Sequence, residues 1–200
     1  MTGLHSPLSP SALHVVIDMQ VLFDSHPEWG CADLRGILPA VQRMATARPD
    51  RTVCTRFVPA RNAASAPGCW QRYYRHWHGA TLEQAGEAAV ELVPELAALP
   101  LAGIVDKAGY SAYSSADFVP LLDRLRADTL ILSGVETDVC VWATVLSAID
   151  DGRRVVIASD AVGSSNRDTH DATLRIAADR FDLQIELATV DEILAAWPIS

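Results

Sequence analysis

Short runs rich in β-branched residues alternate with longer stretches of helical spacing, and this alternation constrains the chain more than any other feature. The runs are "LHVVID" at 13–18, "RTVCTRF" at 51–57, "GIVDK" at 103–107, "TLILSG" at 129–134, "RRVVIAS" at 153–159 and "LQIELA" at 183–188. Several are continuously apolar, as strands covered on both faces must be. Between them, Leu34, Ile37, Leu38, Val41 and Met44 form one helical stripe. Phe118, Leu121, Leu122 and Leu125 form a second, and Leu174, Ile176 and Ala177 a third. Strand and helix in alternation predict βαβ units with right-handed crossovers and a mostly parallel sheet, an α/β fold of the Rossmann-like kind.

A length of 200 residues fits a single domain spanning 1–200. With 50% hydrophobic and 20% charged residues, the chain has enough apolar surface to fold unaided. The net charge of -9 argues against a protein that tracks a phosphate backbone, so no nucleic-acid partner is expected. Cys31, Cys54, Cys69 and Cys140 form no CxxC pair, which speaks against a zinc ribbon or a disulfide framework. The segment 1–12, "MTGLHSPLSPSA", has no basic residue and no long apolar core; it reads as a flexible leader, not a signal peptide. No apolar run reaches the roughly 18 residues of a membrane span. A reduced, cytoplasmic protein without a membrane partner is the expectation.

The link 58–102 is longer than a crossover needs. Within it Trp70, Tyr73, Tyr74 and Trp77 fall at i, i+3, i+4 and i+7, one aromatic face of a helix. Such a face packs against the core or another subunit, and it is also suited to wall a pocket.

Ligands of open parallel sheets sit beyond the carboxyl ends of the strands. The first run ends in Asp18 and the third in Lys107; Cys140 follows the fourth by six residues. Each alone has an ordinary explanation: a turn former, a solvated ammonium, a small buried thiol. Together they are chemically complementary, because a thiol nucleophile needs a base, and the base needs a cation to keep it ionised and placed. Thr137 or Asp138 at a helix start would aim amides at the thiol and lower its pKa from the usual value near ~8.5.

With these residues placed, the chain resembles the isochorismatase-like cysteine hydrolase superfamily, which includes nicotinamidases, N-carbamoylsarcosine amidases and biuret- or ureidoacrylate-type amidohydrolases. The resemblance runs from "VVIDMQVLF" through "VDKAGYSAYSSADF" and "LILSGVETDVCVWATVLSAIDDGRRVVIASDAV" to "TVDEIL". It implies a six-stranded parallel sheet with helices on both faces, and a catalytic triad on Asp18, Lys107 and Cys140. It further implies a cis peptide between Val135 and Glu136, with the Glu136 and Cys140 amides as an oxyanion hole. The implied reaction is hydrolysis of a small-molecule amide or ureido bond through a thioester, without a cofactor, in a homodimer or homotetramer. Two alternatives stay open: vinyl-ether hydrolysis of the isochorismatase kind, with Asp18 as proton donor, and a non-catalytic interaction module. A dinucleotide site has no support, since no GxGxxG follows the first run.

The Asp-x-His metal motif of nicotinamidases is missing from the matching stretch "CTRFVPARN", and His76 and His78 have no carboxylate close in sequence. No metal is expected. Candidate substrate contacts are Gln20, Phe23, Arg56, Trp70, Tyr74, Tyr110 and Tyr113. Arg56 is placed either to clamp a carboxylate or ureido oxygen or to serve as a structural arginine bonded to loop carbonyls, and Tyr110 and Tyr113 either to face substrate or to pack the following helix.

Overall fold

A computed structural model describes residues 3–198. Six strands, β1 (Leu13–Ile17), β2 (Thr52–Phe57), β3 (Gly103–Lys107), β4 (Thr129–Val135), β5 (Arg154–Gly163) and β6 (Ile185–Ala188), form one parallel sheet in the order β3-β2-β1-β4-β5-β6. The helices are α1 (Val21–Ser25), α2 (Leu34–Ala47), α3 (Trp70–His76), α4 (Leu82–Ala85), α5 (Pro94–Ala97), α6 (Phe118–Arg124), α7 (Trp142–Asp150), α8 (Arg167–Arg180) and α9 (Val190–Ala196). Among the described residues no helix is long and apolar enough to cross a membrane.

Three layers follow from the two-residue period of the strands. Leu13, Val15 and Ile17 of β1 pack on one face with Phe118 and Leu122 of α6, Val145 of α7 and Ala177 of α8. Val16 packs on the other with Leu34, Leu38, Val41 and Met44 of α2 and Ile193 of α9. Both β1 and β4 are buried along their whole length, which explains their unbroken apolar runs. A polar pair lies inside this core: His14 Nε2 is 2.7 Å from Ser133 Oγ on the neighbouring strand. Burial pushes His14 down to about 3, so it is a neutral ring in the folded protein.

The strand order reverses between β1 and β4, which opens a crevice at their carboxyl ends. β5 runs four residues past the predicted end, to Gly163, because its pairing with β4 shifts register between Leu132 and Gly134. Leu183 and Ile176, counted with the sixth run and third stripe, are instead exposed.

Residues 3–12 of the expected flexible leader are tied to the body of the protein. The Gly3 N–H donates to the Leu187 carbonyl at 2.7 Å, and the Leu8 N–H to the Ala196 carbonyl at 3.1 Å. Arg154 donates to the carbonyls of Ser6 and Pro7, and Leu8 and Ala12 are buried. Acceptors on β6 and α9 and an apolar slot for Leu8 hold residues 3–12 in place; residues 1 and 2 lie outside the described residues.

Candidate active site

β1 stops at Ile17, and Asp18 turns out of the sheet with φ of 51°. Aspartate tolerates that left-handed region better than most residues. Thr55 of β2 holds it there: its hydroxyl donates to Asp18 Oδ1 at 2.6 Å, and the Asp18 N–H donates to Thr55 Oγ1 at 3.2 Å. Lys107, at the end of β3, places Nζ 2.7 Å from Asp18 Oδ2, with both side chains fully buried. The same ammonium donates to the Gly109 carbonyl at 3.1 Å and approaches Cys140 Sγ at 3.6 Å. Phe57 covers it from 5.1 Å.

At the carboxyl end of β4 the Val135–Glu136 peptide is cis. The chain then makes one wide π-type turn over Thr137–Val141 that carries Cys140. The Glu136 carbonyl accepts from the amides of Val139 and Val141, on either side of the cysteine. Gly134 makes this approach possible. Its φ is 104°, and a Cβ there would lie 2.1 Å from the Ile17 carbonyl oxygen.

The expected lowering of the thiol pKa does not hold. Burial, seconded by the charge of Asp18, pushes the Cys140 thiol well above the ordinary range, and Lys107 offsets only part of this. The helix cap that was to activate it is absent. Thr137 is instead hydrogen-bonded to His170 at 2.8 Å, and Asp138 accepts from Ser164 at 2.5 Å. Burial opposes the Lys107 ammonium too, but Asp18 and Cys140 outweigh it and hold its pKa above the usual lysine value. The sulfur thus lies 3.6 Å from the ammonium of a buried Asp18–Lys107 ion pair.

Cys140 borders a cavity of about 400 Å³. Phe23, Trp29, Phe57, Tyr73, Trp77 and Tyr110 supply its aromatic walls. Glu28 and Glu136 supply carboxylates; the Glu136 Oε1 is fixed by the Ser165 N–H at 2.9 Å. A second, more open cavity of about 660 Å³ shares Tyr73, Trp77 and Tyr110 and adds Trp70, Cys69, Arg72 and His76.

The structure thus brings together Asp18, Lys107 and Cys140, and places Phe23 and Tyr110 at the cavity. The other candidate contacts need correction. Arg56 follows Thr55 by one residue, so it points to the opposite face of the sheet. There it forks onto Asp106, its register partner, at 2.7 and 2.9 Å, and reaches Glu91 at 3.1 Å. Gln20 is fully buried and spends its amide on the Phe57 backbone and the Val90 carbonyl. Tyr113 donates to Asp151 and packs edge-on against Phe118. Tyr74 is buried in a small aromatic core, and Trp70 borders only the second cavity. The aromatic helix does wall the pocket, but through Tyr73 and through Trp77 just past its end. Thr55 and Trp29 carried no sequence signal beyond that of a strand threonine and a loop tryptophan. Among the described residues, no three His, Cys, Asp or Glu side chains gather as a metal site would require.

Comparison with known proteins bears on this site. A family model described as an isochorismatase domain matches residues 12–189. The chain is 32% identical over 80 residues to the maleamate amidohydrolase of Pseudomonas putida, covering 39% of this chain and 38% of that protein. It is 32% identical over 71 residues to nicotinamidase 3 of Arabidopsis thaliana, covering 36% of each. The match therefore spans less than half the length of these two relatives. Among solved structures, a cysteine hydrolase from Pseudomonas syringae pv. phaseolicola superposes with a TM-score of 0.78 at 22% identity, covering 98% of this chain and 99% of that one. At that identity the likeness speaks for the fold.

Proposed function

This chain belongs to the isochorismatase family, and from that membership we propose that it is a cysteine hydrolase that cleaves a small-molecule amide or ureido C–N bond. The observation that carries this reading is the juxtaposition of Asp18, Lys107 and Cys140, with the sulfur at the wall of an aromatic cavity. The names of the maleamate and nicotinamide amidohydrolases among its relatives support amide chemistry.

Asp18 has a division of labour between its oxygens. Oδ1 is taken by Thr55, whereas Oδ2 has no aligned hydrogen bond beyond its ion pair with Lys107. Oδ2 takes the proton of Cys140 as the sulfur forms its bond to the carbonyl carbon. The high resting pKa of the thiol makes this coupled transfer necessary, since little free thiolate stands ready at neutral pH. The backbone amides of Glu136 and Cys140 accommodate the oxyanion; one such donor is typically worth about 2.7–4 kcal/mol of barrier. Asp18 returns its proton to the departing nitrogen as the C–N bond breaks, leaving a thioester. Water, deprotonated by Asp18, then attacks the thioester and frees the acid and the thiol. Lys107 keeps the carboxyl group placed through both halves.

The test is turnover of a panel of primary amides and ureido compounds, with isochorismate alongside, by the parent and by Cys140→Ala. Amide turnover is expected to fall by at least about 10³-fold in the variant, with its circular dichroism unchanged. Undiminished turnover, such as vinyl-ether cleavage driven by Asp18 alone would show, overturns the proposal.

A further inference from the structure

The charge of the main cavity is one-sided. Its lining holds two carboxylates, Glu28 and Glu136, and no Lys, Arg or His. The ammonium beneath it does not redress this: Lys107 is fully buried, 2.7 Å from Asp18, so the two charges cancel as a pair. Arg56, the guanidinium placed by sequence to greet an anion, is turned to the other face of the sheet and held by Asp106 and Glu91. Arg72 and His76 border the second cavity and not the first. Neither Glu28 nor Glu136 has a cationic partner within salt-bridge distance among the described residues.

His26 sits beside Glu28 but accepts the Glu28 and Trp29 amides at Nδ1, at 3.2 and 3.3 Å, while Nε2 faces the Gly79 carbonyl at 3.1 Å. Both ring nitrogens are thus spent on the loop backbone, and neither is within salt-bridge distance of Glu28. The Glu136 carboxylate accepts the Ser165 N–H at 2.9 Å, which holds it in place at the cavity wall.

The remaining walls are π faces. Trp29, Tyr73 and Phe57 form a contiguous aromatic surface, with ring centroids 5.7 Å apart for Trp29–Tyr73 and 6.0 Å for Trp29–Phe57. Burial pushes the Tyr73 and Tyr110 phenols up, so both remain neutral rings. Aromatic faces and unpaired carboxylates attract the same kind of group: a positive charge with a soft, weakly hydrated surface. An anion entering here would meet both with the wrong sign.

We propose that the substrate of the Cys140 site is a cationic amide, one whose ammonium, guanidinium or pyridinium group sits between the aromatic walls and the carboxylates of Glu28 and Glu136. This rests on the reading of Cys140 as the nucleophile, and it adds what that reading leaves open, the charge of the molecule attacked. Anionic amides are the class the cavity rejects.

The test needs no knowledge of the natural substrate. Three methanethiosulfonate reagents of similar size are used: cationic trimethylammonioethyl, neutral 3,3-dimethylbutyl and anionic sulfonatoethyl. The rate of modification at Cys140 is followed by peptide mass, and each rate is divided by that of the same reagent with free cysteine. The expected result is a preference for the cationic reagent of about tenfold over the others. Most of that preference should be lost in Glu28→Gln and Glu136→Gln. Lys107 and Asp18 cancel as a buried pair beneath the sulfur, so a cationic preference reports on the cavity wall. If Cys140 reacts with no charge preference, or prefers the anion, the cationic-substrate inference is overturned and the nucleophile survives. If Cys140 stays unmodified while the exposed Cys69 reacts fully, the catalytic reading and this inference fall together.

Discussion

The Thr55 hydroxyl and Asp18 form a closed ring of two hydrogen bonds, one to the carboxylate Oδ1 at 2.6 Å and one back from the Asp18 amide at 3.2 Å. Thr55 is fully buried, so no water can substitute for it. Thr55→Val keeps the shape and removes the donor. The expected result is a kcat lower by roughly 10²-fold, with KM little changed, because the base is misplaced while the pocket is intact. Stability should fall by about 1.5–3 kcal/mol, the usual worth of a hydrogen bond to a charged group. Thr55→Ser should restore most of both. Steady-state kinetics and denaturant melts of the two variants check this; an unchanged kcat in Thr55→Val would remove Thr55 from the mechanism.

Asp18 and Cys140 make a prediction with opposite signs in two assays. The Asp18 charge helps hold the thiol pKa above its ordinary value, after burial, while Lys107 pulls it down. Removing the charge in Asp18→Asn therefore favours thiolate, and alkylation of Cys140 by iodoacetamide should begin at lower pH than in the parent. Amide hydrolysis by the same variant should nevertheless collapse, because the proton carrier is gone. Lys107→Met should shift the alkylation profile the other way, to higher pH. The pH profiles of alkylation, read at the Cys140 peptide, decide the matter; identical profiles in all three proteins would show that the groups do not sense one another.

His14 links the core to pH. Its folded pKa of about 3 lies below the unfolded value of 6.5, so the fold prefers the neutral ring. That contribution is fully present above pH 6.5 and is lost as pH falls toward 3, when the unfolded chain takes up a proton the folded one refuses. One such group gives a slope of at most about 1.4 kcal/mol per pH unit. Chemical denaturation of the parent and of His14→Asn between pH 7 and about pH 4 should show a shallower decline in the variant. Parallel curves would mean that His14 is not the group that titrates.

Much of this was legible in the sequence because it depends on short-range rules. Strands buried on both faces must be apolar, and polar residues at their ends must stand at the sheet's edge; Asp18 and Lys107 follow directly. What was not legible depends on where faces point after packing. Arg56 was misplaced although the two-residue alternation held the answer: once Thr55 faces Asp18, its neighbour cannot. On α3 the spacing identified an aromatic face but not which edge meets the crevice, and Tyr73 with Trp77, not Trp70 with Tyr74, wall the main cavity. The thiol pKa went astray because helix amides are a local feature and burial is not. Leu8 anchors a segment whose polar composition resembles a free tail.

Gly134 tests the close crossing of β1 and β4. Alanine there would set its Cβ 2.1 Å from the Ile17 carbonyl oxygen, on backbone that cannot yield, at a φ of 104° that L-residues avoid. Gly134→Ala is expected to lower the melting temperature by many degrees or to prevent soluble expression, and to abolish hydrolysis in whatever folds. Gly152→Ala offers the control: its φ of 74° is also positive, but no atom lies within 4 Å of the added Cβ. Its loss should be confined to about 1–2 kcal/mol of left-handed strain. Equal melting temperatures for the two variants would contradict the packing described at Gly134.

The most direct measurement is rapid-quench peptide mass spectrometry of the enzyme during turnover of a hydrolysed amide. The account predicts that the peptide containing Cys140 transiently gains the mass of the acyl group, that the adduct is cleared by hydroxylamine, and that Cys31, Cys54 and Cys69 stay unmodified. Turnover that proceeds with the Cys140 peptide unmodified at every time point, and at the same rate in Cys140→Ala, would contradict it.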